Sequence, residues 1–209
     1  MIFTINKDEL TMKQNAAMFG LDARITLAIF TALSVITGAS LFSTMKHIKK
    51  VSYIHQLDEI KKAVVQYYLD VRTYPIESNF RTLNASHLID KPAGIIGWEG
   101  PYLNGNTQDI YLKNIYPPIN TIFLRLGSID KNWNEPLMEP GGVCSSVCFI
   151  WLETTGSETF PLLLNKNFRD SIDKHYDGQI SPTTGKVRIS FNEMMNKVGL
   201  YIAVMPYKK

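Results

Sequence analysis

Residues 25–43, ITLAIFTALSVITGASLFS, carry no charge. That is about the length a helix needs to cross a bilayer, ~20 residues at ~1.5 Å each. Thr26, Thr31, Ser34, Thr37 and Ser40 soften the run, but hydroxyls on a helix bond back to carbonyls one turn earlier. Gly38, among small neighbours, suits close approach by another helix. A secretory signal has a shorter apolar core and a small-residue cleavage site after it. Here the run is long, and MKHIKKVSYIHQL follows it as helix continuing into water. Lys13 and Arg24 lie before the run, and Lys46, Lys49 and Lys50 after it. This distribution tilts the positive-inside rule against an outward C-terminal domain.

The helical pattern does not stop at the basic cluster. From Val51, apolar residues recur at Ile54, Leu57, Ile60, Val64, Tyr67, Tyr68 and Val71, the spacing of an amphipathic helix. Asp58, Glu59, Lys61 and Lys62 fill the other face. Pro75 ends the helix and pushes Tyr74 out of helical geometry. The reading is one helix of ~50 residues, ~75 Å long. Half of it is suited to lipid, and the other half needs a partner for its stripe.

Beyond Pro75 the texture changes. Pro92, Gly94, Gly97, Gly100, Pro101 and Gly105 mark loop. Runs rich in β-branched and aromatic residues then predict strands at 109–113, 121–126, 147–153, 186–191 and 200–205, and a second helix is expected over 160–176. The expected fold class is α+β: a long N-terminal helix, with a transmembrane half and an amphipathic half, packed against a C-terminal antiparallel β-sheet that covers the stripe. The 209 residues suffice for one such domain plus an appendage, and a net charge of +3 with scattered Lys and Arg leaves no nucleic-acid footprint.

Candidate chemistry is sparse. Cys144 and Cys148 are the only cysteines and no His lies near them, so a local disulfide in an oxidising compartment is the better reading. Asp130, Asn132, Asn134 and Glu135 offer oxygen ligands of the kind calcium prefers; the spacing departs from the EF-hand pattern, and a solvated turn accounts for them as well. Asp170, Asp173, His175 and Asp177 offer acid/base groups, but an exposed charged helix face explains them without catalysis. No nucleophile elbow, phosphate loop or His-Glu-x-x-His is present, so no enzyme activity and no cofactor other than calcium is expected.

Four stretches carry a resemblance to the type IV pilin and type II secretion pseudopilin superfamily. MFGLDARITLAIFTALSVITGASLF resembles the prepilin leader junction and spine, and LDEIKKAVVQYYLDVRTYP the second half of the pilin helix with its Tyr-Pro end. GWEGPYL resembles the aromatic turn of pilin-like chains, and DGQISPTTGKVRI a late pilin hairpin. The resemblance implies a leader over residues 1–20, a transmembrane assembly helix over 21–50 and a periplasmic globular domain over 51–209. It further implies cleavage and methylation by a prepilin peptidase. Cutting between Gly20 and Leu21 supplies the family's glycine. Cutting between Ala17 and Met18 puts Asp22 at the family's acidic fifth position. Arg24 interrupts the apolar run, which is unusual for the family. An acid near lipid is costly unless paired, so Asp22 is expected to meet a neighbour's N-terminal amine, with Arg24 as a second assembly residue.

The function so implied is that of a structural filament subunit of a type IV pilus-like or type II secretion-like system. Its partners are other copies and other pilin-like subunits, the prepilin peptidase, the inner-membrane assembly machinery and membrane lipid, with no nucleic acid. It would reside single-pass in the inner membrane and, once assembled, in a periplasmic or extracellular filament. The alternative is a single-pass anchored periplasmic binding or adaptor protein that does not polymerise, with Trp98, Tyr102, Tyr111 and Tyr116 lining a groove.

Overall fold

The computed structural model describes residues 7–78, 81–105, 111–116, 119–128, 147–156, 161–192 and 197–208. The elements are α1 (Lys7–Val71), β1 (Thr82–Leu83), β2 (Leu112–Tyr116), β3 (Ile119–Ser128), β4 (Cys148–Gly156), α2 (Lys166–Asp177), β5 (Val187–Asn192) and β6 (Lys197–Tyr207). Single 3-10 turns stand at Ala85–Leu88 and Pro161–Leu164. The chain divides into two units, Met1–Lys49 and Lys50–Lys209.

The second unit is α+β, with the last turns of α1 packed on an antiparallel sheet. Tyr53, Ile54, Leu57, Ile60, Ala63, Val64 and Tyr67 are buried, a stripe at helical spacing. Alternate residues of three strands meet it: Leu124 and Leu126, Ile150 and Leu152, Leu200 and Ile202. Tyr53 also shares a hydrogen bond with the Thr154 hydroxyl at 2.7 Å. Tyr68 and Val71, expected in the stripe, lie half-buried at its margin.

The sheet is not the only cover. Phe168 of α2 meets Tyr53 edge-on at 5.3 Å, and Ile172 enters the same core. The Tyr176 hydroxyl donates to Asp58 Oδ1 at 2.9 Å, and Lys61 Nζ lies 4.6 Å from the Tyr176 ring centre. Asp58 and Lys61 are therefore half-buried against α2 instead of forming part of a free polar face. The helix expected over 160–176 is divided by Asn165. Its side chain accepts from Phe168 N at 3.3 Å, so α2 begins one residue later, after the 3-10 turn.

α1 stops at Val71, ahead of Pro75. Arg72 is left-handed at φ 61°, and Tyr74 turns to stack on Tyr68 at 4.7 Å and on Tyr207 at 4.6 Å. The Tyr74 hydroxyl donates to the Pro206 carbonyl at 3.1 Å, tying the helix end to the last strand. Gly97 closes against the same end. Its φ is +82°, and a Cβ there would lie 2.6 Å from the Asp70 carbonyl oxygen, so only glycine fits without a shift.

The strand order is β1-β3-β4-β6-β5, all antiparallel, with β2 also pairing β3. The strand expected at 109–113 falls instead at Leu112–Tyr116, as the first arm of a hairpin with β3. The two-residue β1 had no counterpart in the sequence reading.

The face turned away from α1 carries a different set. Trp151, Glu153, Tyr201, Ala203 and Arg188 are buried there. Arg125 Nε donates to Glu153 Oε2 at 2.6 Å and its Nη1 to Thr82 Oγ1 at 2.8 Å, while the Tyr201 hydroxyl donates to Glu153 Oε1 at 3.3 Å. Burial, then the neighbouring Glu153 carboxylate, pushes the Tyr201 phenol well above its ordinary range. Gly199 leaves room for this ring, since a Cβ there would come within 2.8 Å of it.

At the β5 edge, outward amides are taken up locally. Asp177 accepts from Lys186 N and Val187 N at 2.9 and 3.0 Å, and the Pro182 carbonyl accepts from Ile189 N at 2.8 Å. An edge so occupied is a poor template for another strand.

Two outcomes follow. Leu57→Ala, at a fully buried position, is expected to lower unfolding stability by about 2–5 kcal/mol, read by denaturant titration of the detergent-solubilised chain. Arg125→Met leaves the buried Glu153 without its cation and is expected to cost about 3 kcal/mol in the same measurement.

Candidate functional site

The first unit offers an apolar surface. Among its described residues Leu21, Leu27, Phe30, Val35, Leu41 and Phe42 are each at least 60% exposed, and Ile25, Ile29, Leu33, Ile36, Met45 and Ile48 at least 50%. These side chains point all round the helix, so no single neighbouring face would cover them. Burial is worth about 1.5–3 kcal/mol for each such side chain, so the unspent total exceeds the ~5–15 kcal/mol that holds a typical domain together. The segment leaves that surface open.

Several of its hydroxyls bond back to the helix's own carbonyls. Thr26 Oγ1 donates to the Asp22 carbonyl at 2.8 Å, Thr31 to Leu27 at 2.7 Å, Ser34 to Phe30 at 2.8 Å and Thr37 to Leu33 at 2.9 Å. Backbone and hydroxyls thus ask nothing of a lipid or helix environment. An added Cβ at Gly38 would meet nothing within 4 Å, so the notch it makes is open on the outside.

Gly20, Leu21, Asp22 and Arg24 lie on α1 and are exposed; Ala17 and Met18 belong to the same helix, with side chains outside the described residues. Asp22 and Arg24, two positions apart, sit ~200° apart around the helix. They face different directions, so each is free to meet a different neighbour. Cys148 opens β4 and is buried, at 7% exposure, while Cys144 lies outside the described residues. So do Asp130, Asn132, Asn134 and Glu135. Among the described residues no group of three or more His, Cys, Asp or Glu could hold a metal ion.

Of the four aromatics expected to line a groove, Trp98 and Tyr102 are half-buried. Trp98 Nε1 donates to the His87 carbonyl at 2.9 Å, and Tyr102 packs edge-on against Tyr67 and Trp98 at 5.7 and 5.6 Å. Both rings pack, partly buried, against the core beside the end of α1. Tyr111 leans on Phe123 at 5.1 Å, and the Tyr116 side chain lies outside the described residues.

The acids of α2 differ from the exposed face expected of them. His175 is exposed and Asp170 pairs with Lys166 at 2.6 Å, but Asp173 is wholly buried. One Asp173 oxygen accepts from Ser181 N at 2.6 Å, and the other is without a hydrogen-bond partner among the described residues. Burial pushes this carboxyl above its ordinary value, with Asp177 and Asp170 adding to the rise and the Ser181 amide opposing it. Asp173 and Asp177 hold the α2–β5 corner; a sequence signal existed in the Asp-Gly turn after α2, but it does not distinguish a buried acid from an exposed one.

Residues 40–116 match the family model described as type II secretion system protein G. Over that stretch the chain is similar to a type II secretion pseudopilin. The matched stretch begins inside the apolar segment of α1, crosses its core-forming turns and Tyr74-Pro75, and ends with β2. It includes LDEIKKAVVQYYLDVRTYP and GWEGPYL, and DGQISPTTGKVRI lies beyond it. No curated protein and no solved structure shows significant similarity to the chain. The pseudopilin-like part thus contains both surfaces at issue: apolar helix without cover, and helix covered by sheet.

Because Asp173 keeps its proton in the folded chain over a pH range where the unfolded chain has lost it, stability is expected to fall as pH rises from the usual carboxylate range through the raised folded value. Asp173→Asn should flatten that slope. Unfolding midpoints measured across mildly acidic pH check the sign.

Proposed function

We propose that the chain is a structural subunit of a type II secretion-like or pilus-like filament, stored in the inner membrane and polymerised through residues 21–50. The observation that carries the reading is the coincidence of the protein G match with an apolar helix none of whose most apolar window is buried. Stacking such helices covers the surface that one chain leaves open. A head-to-tail contact that does not close on itself generates a filament.

In this reading residues 1–20 are a leader removed by a prepilin peptidase, after Gly20 or after Ala17, and the new N-terminus is methylated. Asp22 meets the amine of an adjacent subunit and Arg24 faces another. Residues 51–209 form the periplasmic layer of the filament, pinned by a Cys144–Cys148 disulfide at the start of β4. The single helix long and apolar enough to cross a membrane among the described residues supports a membrane-anchored chain. No catalytic step is assigned: the protein G family is structural, and the candidate acids of α2 are occupied in holding the fold.

The experiment is co-expression with a prepilin peptidase, followed by mass spectrometry of the mature N-terminus. A start at Leu21 or Met18 is expected, and a chain that keeps its leader refutes the reading. Asp22→Lys should leave membrane insertion intact. It should also reduce filament yield about a hundredfold, since an unpaired charge at the apolar phase costs about 2.5–3.5 kcal/mol. Normal filament yield from that variant would remove Asp22 from assembly.

A further inference from the structure

We propose that Lys46, Lys49 and Lys50 form a binding face for anionic phospholipid headgroups, at the end of the membrane span nearest residues 51–209. The inference rests on the membrane reading above and adds to it a ligand class. Three observations support it.

The first is position. Residues 25–43 rise ~28 Å at ~1.5 Å per residue, close to the ~30 Å hydrocarbon thickness of a bilayer. Lys46 to Lys50 then lie ~4–10 Å past the end of the run, the depth of the headgroup layer. The Lys46 side chain turns back along the helix and places Nζ 4.4 Å from the Phe42 ring centre, near the level where the apolar run ends.

The second is spacing. Positions 46, 49 and 50 are related by three and four residues and share one face of α1. Lys46 and Lys49 are exposed and Lys50 half-exposed.

The third is the missing counter-charge. From residue 23 to residue 57 the sequence holds no Asp or Glu. The positions one turn away are Phe42, Ser43, Met45, Ser52, Tyr53 and Ile54, with His47 and the lysines themselves, so no helix partner offsets the repulsion among them. On α2, by contrast, Lys166 pairs with Asp170 one turn away at 2.6 Å. Lysines beside the end of the span, with no acid one helix turn away, attract lipid phosphate with net negative charge over a zwitterionic headgroup.

The test uses the full chain, reconstituted into phosphatidylcholine bilayers with and without phosphatidylglycerol. Spin-labelled forms of each lipid report the fraction immobilised at the protein. The native chain should prefer phosphatidylglycerol by roughly fivefold or more, and the preference should fall in high salt. The Lys46→Gln/Lys49→Gln/Lys50→Gln chain should lose the preference yet stay resistant to alkaline extraction. A triple variant that keeps native selectivity overturns the proposal. So does one that keeps it while losing copy-to-copy cross-linking, which would assign the lysines to a neighbouring subunit. A native chain released by alkaline extraction refutes the membrane reading itself, and the headgroup face falls with it. A native chain that stays in the bilayer but shows no lipid preference refutes the headgroup face alone.

Discussion

The second unit depends on one requirement, the cover of a helical stripe. Tyr53, Leu57, Ile60, Val64 and Tyr67 cannot remain in water, and a lone helix offers them nothing. The alternate inner residues of β3, β4 and β6 supply one wall, and Phe168 and Ile172 of α2 supply another. The remaining contacts close the ends of this arrangement. Tyr74 ties the helix terminus to the last strand, Gly97 lets a loop lie against Asp70, and Trp98 and Tyr102 fill the space beside Tyr67.

The same helix shows what happens without such cover. Between Leu21 and Ile48 the apolar side chains are as large as those of the stripe, yet they stand exposed on every side. Hydroxyls that bond back to the preceding turn remove the polar objection to an apolar environment. The proposed filament subunit would act through what surrounds this segment. That agrees with the fate of the groups that looked most like chemistry. Asp173 and Asp177 hold a corner by accepting backbone amides, and Trp98 and Tyr102 are packed inward.

The far face of the sheet shows a second solution to burial. Glu153 is taken out of water only because Arg125 and Tyr201 satisfy both of its oxygens, and the Arg188 guanidinium lies 5.5 Å from the Trp151 ring centre. Losing a single partner leaves a charge that water does not reach. None of this was legible beforehand, because Arg125 and Glu153 are 28 positions apart and meet only through the β3–β4 register. The buried Asp173 was hidden for a similar reason. Helical spacing groups it with Asp170 and Asp177, but packing against the turn at Ser181 decides that it is inside.

The sequence by itself determined the apolar run, the amphipathic turns after it and the strand-rich remainder, because periodicity of 3.6 or 2 is a local property that survives any tertiary arrangement. It also located the end of the helix to within a few residues, since proline constrains the residue before it whatever surrounds them. Only the tertiary structure decided which polar residues are inside. Asp58 and Lys61 became contacts of α2, Glu153 a buried half of an ion pair and Asp177 the guard of a sheet edge. Each of these depends on a partner far away in the chain, and a charged residue's preference for water yields only where a specific partner replaces that water.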